Sequence, residues 1–188
     1  MKSSLIVFLA IFCLSTGSLQ AQYTYDGVTL PATLSYGSIS LELNGAGLRE
    51  KYFLDLYLGG LYVQTKSRNA KEIISADKPM AIRLHIISSI IDSKKMISAV
   101  DEGMEKSTNG NETQFASEIA SFKKTFDEAI KVGDIYDLVY VPNTGVEIYK
   151  NGAKSNTIKG LAFKKALFGI WLCDDPADED LKEGMLKG

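Results

Sequence analysis

The stretch from Asn44 to Val63, NGAGLREKYFLDLYLGGLYV, constrains the fold more than any other part of this chain. Glycines at 45 and 47 mark a place where the backbone bends at low cost. The run from Tyr52 to Leu58 has the aromatic, alternating character of a half-buried strand rather than a helix. A period of two assigns Arg49, Lys51, Phe53, Asp55 and Tyr57 to one face, and Tyr52, Leu54, Leu56 and Leu58 to the other. One face is a core; the other mixes charge with rings. An arginine beside such a turn offers a planar fork of donors to an anionic oxygen. The competing role for it is a surface ion pair. On one straight strand Arg49 and Tyr57 would stand about 26 Å apart at roughly 3.3 Å per residue, so a shared site requires a bend or a bulge. Tyr62 has the opposite parity, and a bulge at Gly59-Gly60 makes it the reserve candidate.

The chain opens with Met1-Lys2, an apolar run from Leu5 to Leu14, and small or polar residues leading to Ala21. Residues 1–21 therefore read as a secretory signal cleaved near Ala21, which sends the mature chain to the periplasm or outside the cell. Phe12 before Cys13 is not the small residue that a lipid-attachment site requires. Residues 22–188 are the right size for one domain with its own core, and no apolar run in them is long enough to span a membrane.

The whole chain carries 21 basic and 23 acidic side chains, a net charge of −2, and the signal removes a further lysine. That balance excludes a nucleic-acid binder, which needs a basic face. Outside the signal Cys173 has no partner for a disulfide, and its setting in FGIWLCDD reads as inert packing at a helix end. His85 is the one histidine. A metal site built from several imidazoles is excluded, no carboxylate and cysteine cluster replaces it, and no metal or cofactor is expected. A general-base role for His85 is weighed against a structural imidazole, and the structural role is preferred.

The remaining segments read as alternating strands and paired helices. Ser38–Leu43 alternates with period two, and a hairpin leads into the central stretch. Asn69–Ala76 reads as a short helix and Met80–Ile87 as a strand with Ala81, Arg83 and His85 on one face. Ser93, with Asp92 beside it, caps a helix carrying Met96, Ile97, Val100 and Met104. After a break at Ser107–Asn111, Phe115, Ile119, Phe122 and Phe126 form the stripe of one longer helix. Ile135–Ile158 reads as a three-stranded meander with a type I′ turn at Asn151-Gly152. Leu161–Leu172 is an amphipathic helix with Lys159, Lys164 and Lys165 on its polar side. A last short helix is expected with Asp175 as its cap and Pro176 at its first position.

GAGLREKYF, then LYLGGLYV, then the distant KGLAFKKALFGIWL together resemble the bacterial chalcone isomerase-like proteins over nearly all of residues 22–188. The resemblance implies an α+β fold, a large curved antiparallel sheet with helices packed on one face as an open-faced sandwich. It also implies that helices wall a ligand cleft, with phenylalanines of the 115–126 stripe as candidate lining. In that superfamily the arginine after the GAG turn serves flavanone chemistry in plant enzymes and fatty-acid carboxylate binding in non-catalytic relatives. Arg49 and Tyr57 are the positions of this sequence that match. The plant enzymes carry threonine where Tyr57 falls and a longer arginine-to-threonine gap, which counts against chalcone cyclisation.

The preferred function is an exported, non-catalytic binding protein for a small apolar carboxylate such as a fatty acid. Arg49 and Tyr57, with Tyr62 in reserve, are its ligand-binding residues. One alternative is an isomerase or lyase in which Arg49 stabilises an enolate or phenolate while Tyr57 or His85 moves a proton. Another is a structural envelope protein without a ligand. The sequence sets no oligomeric state.

Overall fold

The computed structural model describes residues 22–188, so the expected signal segment, residues 1–21, lies outside the described residues. A small hairpin of β1 (Tyr23–Tyr25) and β2 (Val28–Leu30) precedes an open, curled sheet of seven antiparallel strands. These are β3 (Thr33–Tyr36), β4 (Ile39–Lys51), β5 (Leu54–Val63), β6 (Met80–Ile86), β7 (Ile135–Val141), β8 (Gly145–Lys150) and β9 (Ala153–Ile158). Their order in the sheet is their order in the chain, so every strand pairs with its sequence neighbours. The helices are α1 (Ala70–Ser75), α2 (Ser93–Ser107), α3 (Ala116–Lys123), α4 (Leu161–Leu172) and α5 (Glu179–Met185).

The helices cover one face of the sheet. Leu61, Ile82, Leu84, Leu138 and Ile148 point toward them and pack with Met104, Phe122, Phe163, Leu167 and Trp171. A second, smaller core lies on the opposite face, where Leu34, Leu41, Leu58, Tyr62 and Val139 meet Leu30 of the β1–β2 hairpin. Each large apolar side chain buried in this way contributes about 1.5–3 kcal/mol.

The central stretch is two strands rather than one. The chain reverses at Tyr52 (φ 55°) and Phe53 (φ 63°), with Lys51 paired to Leu54 across the turn. No glycine or asparagine marks this turn, which is why alternation alone reads through it. A bulge at Asn44 shifts the pairing from Leu43↔Tyr62 to Gly45↔Leu61. Beyond it, Gly45, Gly47 and Arg49 all face the helices, where Leu181 and Asp178 meet them.

Three helical expectations are corrected. The single helix over the phenylalanine stripe is a 3₁₀ turn (Glu112–Phe115), then α3, then a second 3₁₀ turn (Lys124–Phe126). Phe122 and Phe126 are buried edge to face, with ring centres 5.5 Å apart. The cap of α5 is Asp178, whose carboxylate accepts from Leu181 N at 2.9 Å, while Asp175 instead pairs with Lys106. Lys164 is not on a polar side at all, because it is fully buried.

Candidate functional site

The β4–β5 hairpin sets Arg49 directly opposite Tyr57 on adjacent strands. The separation expected along one straight strand therefore does not arise. Both side chains open into a cleft of about 360 Å³ between the hairpin, α2 and α4. Leu56 from the sheet, Met96 and Val100 from α2, and Ile170 and Trp171 from α4 give it an apolar wall. Arg49, Lys51, Lys95 and Lys106 line it as cations, against the single lining carboxylate of Glu102.

Arg49 is neither free nor at the surface. Its Nη1 donates to Asp178 Oδ2 at 3.0 Å and to the Glu50 carbonyl, and its side chain is 14% exposed. Both of these bonds use Nη1, so the rest of the guanidinium fork is turned toward the Tyr57 oxygen and a ligand oxygen beside it. Asp178 does two jobs, holding Arg49 and capping α5.

Tyr57 is buried beside it, and Trp171 Nε1 donates to the Tyr57 hydroxyl at 3.0 Å. With its oxygen accepting from the indole, the hydroxyl keeps its own proton for a second acceptor. Burial pushes the Tyr57 hydroxyl above the usual tyrosine range, opposed by the Trp171 hydrogen bond and the Arg49 charge. Near neutral pH the pair is thus a cation next to a neutral donor, at the end of an apolar groove. That arrangement suits a carboxylate with an apolar tail.

The reserve tyrosine does not join them. Tyr62 lies on the opposite face of the sheet and donates to the Pro31 carbonyl at 3.0 Å. The bulges fall at Asn44 in β4 and at Leu56 in β5 rather than at Gly59-Gly60, so the alternation of β5 runs unbroken from Tyr57 through Tyr62. His85 is also on that opposite face, with Arg83, which makes a bidentate pair to Asp137 at 2.6 and 2.8 Å. Burial, then the Arg83 charge, pull the His85 pKa down, so the imidazole is neutral and away from the cleft. The alternative role for His85, moving a proton in that cleft, is corrected accordingly.

Phe122 and Phe126 belong to the core, and the stripe supplies no lining residue to the cleft; α2 supplies that wall instead. Cys173 caps the C-terminus of α4 half-buried, and its thiol donates to the Asp175 carbonyl at 3.1 Å. Burial raises its pKa, which keeps it in the unreactive thiol form. Among the described residues no group of three or more histidine, cysteine, aspartate or glutamate side chains is placed to hold a metal ion. None of the described helices is long and apolar enough to cross a membrane. Trp171 and Asp178 are the site residues that sequence reading missed. Each stands more than a hundred residues from its partner, and no local pattern announces the contact.

An open antiparallel sheet with helices on one face, and a cleft between them that presents an arginine and a tyrosine, defines an α+β open-faced sandwich. The chain belongs to the chalcone isomerase-like family, which it matches over residues 22–187. Among solved structures it is similar to the Arabidopsis thaliana fatty-acid binding protein, with a TM-score of 0.70 and 20% sequence identity. That likeness covers 88% of this chain and 96% of the plant one. No curated protein matches the sequence significantly.

Proposed function

We propose that this protein is an exported, non-catalytic binding protein for a small apolar carboxylate such as a fatty acid. The observation that carries this reading is the cross-strand pair of Arg49 and Tyr57 at an apolar cleft. The carboxylate takes the remaining donors of Arg49 and the Tyr57 hydroxyl, and the tail runs past Leu56, Met96 and Ile170. The fatty-acid binding protein of the same fold supports the ligand class. The lyase alternative loses its histidine, since His85 faces the other way, and is left with Tyr57 alone to move a proton. Export rests on residues 1–21, and intact mass of the secreted protein should give Gln22 as the first residue.

Isothermal titration with a fatty acid tests the binding reading. Arg49→Ala should weaken binding by roughly ten- to a hundred-fold, the loss of a hydrogen bond to a charged group. Because Asp178 then loses its partner, the same variant should unfold about 1–2 kcal/mol more easily. Unchanged affinity in Arg49→Ala would remove the arginine from the site and leave it a structural ion pair.

A further inference from the structure

The tip of the β4–β5 hairpin is built against local preference. Tyr52 and Phe53 hold its two central positions, both at left-handed φ (55° and 63°), where asparagine and glycine are the favoured residues and large side chains are strained. The strain returns no packing. The Phe53 ring is 100% exposed and Tyr52 83%, with the Lys51 ammonium 5.9 Å from the Tyr52 ring centre. Strain and bare aromatic surface at one turn, with no gain inside the chain, point to a contact outside it.

The exposure is localised. Leu54, Ile90 and Val132 complete the set of exposed large hydrophobic side chains among the described residues. All five lie at one end of the sheet. Ile90 follows β6, Val132 precedes β7, and Gly133 N donates to the Ile86 carbonyl at 2.8 Å. Tyr52, Leu54 and Ile90 also line the cleft, so this apolar end is the rim of its mouth. Lys51, Lys94, Lys95 and Lys131 stand around it. Lys51 pairs with Glu102 and Lys95 with Asp92, which also caps α2, whereas Lys94 and Lys131 make no ion pair among the described residues. Of the other carboxylates at this end, Asp55 accepts from the Tyr25 hydroxyl and Glu50 is exposed.

We infer that this end of the molecule docks on an anionic phospholipid bilayer. Phe53 and Tyr52 enter the boundary between headgroups and acyl chains, and the cleft mouth is set against the lipid. The docking rests on the proposed function only for what passes through the mouth. A protein partner fits the tip less well. Two rings bury about 150–250 Å² each, short of the roughly 800 Å² per partner of a stable protein interface, and a narrow finger offers no face to match. A bilayer requires no matching surface, and exposed aromatic rings flanked by lysines are the composition of interfacial anchors. The cations of the cleft wall outnumber its one carboxylate and favour an anionic headgroup layer.

The test is cosedimentation of the purified protein with vesicles of mixed phosphatidylcholine and phosphatidylglycerol, and with phosphatidylcholine alone. The wild-type protein should pellet with the mixed vesicles and several-fold less with phosphatidylcholine. Phe53→Gly should weaken that binding at least about ten-fold while raising the unfolding temperature, because glycine relieves the left-handed strain. Phe53 does not line the cleft, so fatty-acid affinity in vesicle-free solution should be kept in this variant. Failure of the wild-type protein to pellet with mixed vesicles, or equal pelleting of Phe53→Gly, overturns the inference. A concentration-dependent dimer in ultracentrifugation that Phe53→Gly abolishes, without vesicle binding, overturns it in favour of a second copy of this chain. Vesicle binding without fatty-acid binding sinks the proposed cargo and leaves the docking intact; the reverse sinks the docking alone.

Discussion

Lys164 shows how far a single residue departs from its sequence setting. In LAFKKALFGIWL it takes the polar side of an amphipathic helix, yet its side chain is fully buried. Its Nζ donates to the carbonyls of Ile73, Ile74 and Ala76 at 3.0, 2.8 and 2.9 Å, closing the C-terminal end of α1. The ring centres of Tyr140 and Phe168 lie 5.2 and 5.8 Å away. A lysine in KK gives no sign of this, because its acceptors come from a helix some ninety residues earlier. Lys164→Met fills the volume but leaves those carbonyls without a donor, and should cost about 2–4 kcal/mol in denaturant unfolding. Burial, with Lys165 adding to it and Asp77 opposing it, pulls the Lys164 ammonium down to about 8. The folded pKa lies below the unfolded one, so between them the unfolded chain binds more protons. This group's contribution to unfolding free energy therefore rises as pH climbs from about 8 toward the ordinary lysine value. The gap between wild type and Lys164→Met should widen over that window, and a gap that narrows would contradict the assignment. Arg49, by contrast, was legible as a candidate from the glycines that precede it, and Tyr57 only from the family resemblance.

At the level of elements, the glycines of the central stretch do a different job from the one their setting suggests. Gly45, Gly47 and Gly59 read as bends, but they make a flat floor for α5, on which Leu181 and Met185 rest. Gly184 of α5 meets that floor backbone to backbone, and a Cβ there would stand 2.6 Å from the Ala46 carbonyl oxygen and 3.0 Å from Gly47 Cα. Asn44, buried at the bulge, fastens the helix by donating to the Met185 carbonyl at 2.7 Å. Gly184→Ala should lift α5, cost about 1–3 kcal/mol of overpacking strain, and lower ligand affinity because Asp178 moves away from Arg49. Thermal unfolding together with fatty-acid titration of this variant checks both; a variant as stable as wild type would mean that α5 tolerates the shift. The segments that sequence read well, β6 to β9 and α4, announce themselves by local period and by Asn151-Gly152. The segments it misread depend on something distant or lack a marker. The 112–126 run is bent into 3₁₀ turns at both ends, and the Tyr52-Phe53 turn has none of the residues that usually signal one.

For the whole molecule, the α+β class and the large antiparallel sheet with helices on one face were legible, and each strand of that sheet pairs with its neighbour in sequence. The cleft was legible only in half. Its sheet wall is local, whereas its other wall comes from α2 and the last quarter of the chain. Ending the protein after Cys173 removes Ala177, Asp178 and α5, together with the buried side chains of Leu181 and Met185. Two such side chains are worth about 3–6 kcal/mol together, a large part of the roughly 5–15 kcal/mol that holds a domain folded. The shortened protein should lose its cooperative calorimetric transition, and a melt within a few degrees of wild type would show that α5 is dispensable.

The meander gives the order of assembly a consequence for the site. A chain delivered from its N-terminus can zip each strand onto the one before it as it emerges, so the sheet grows without waiting for distant partners. Trp171 and Asp178, which orient Tyr57 and Arg49, come from the segment that follows the last strand. The pocket is therefore walled only after the sheet is built, and until α4 and Asp178 settle on it the Arg49–Tyr57 pair stands on an open face.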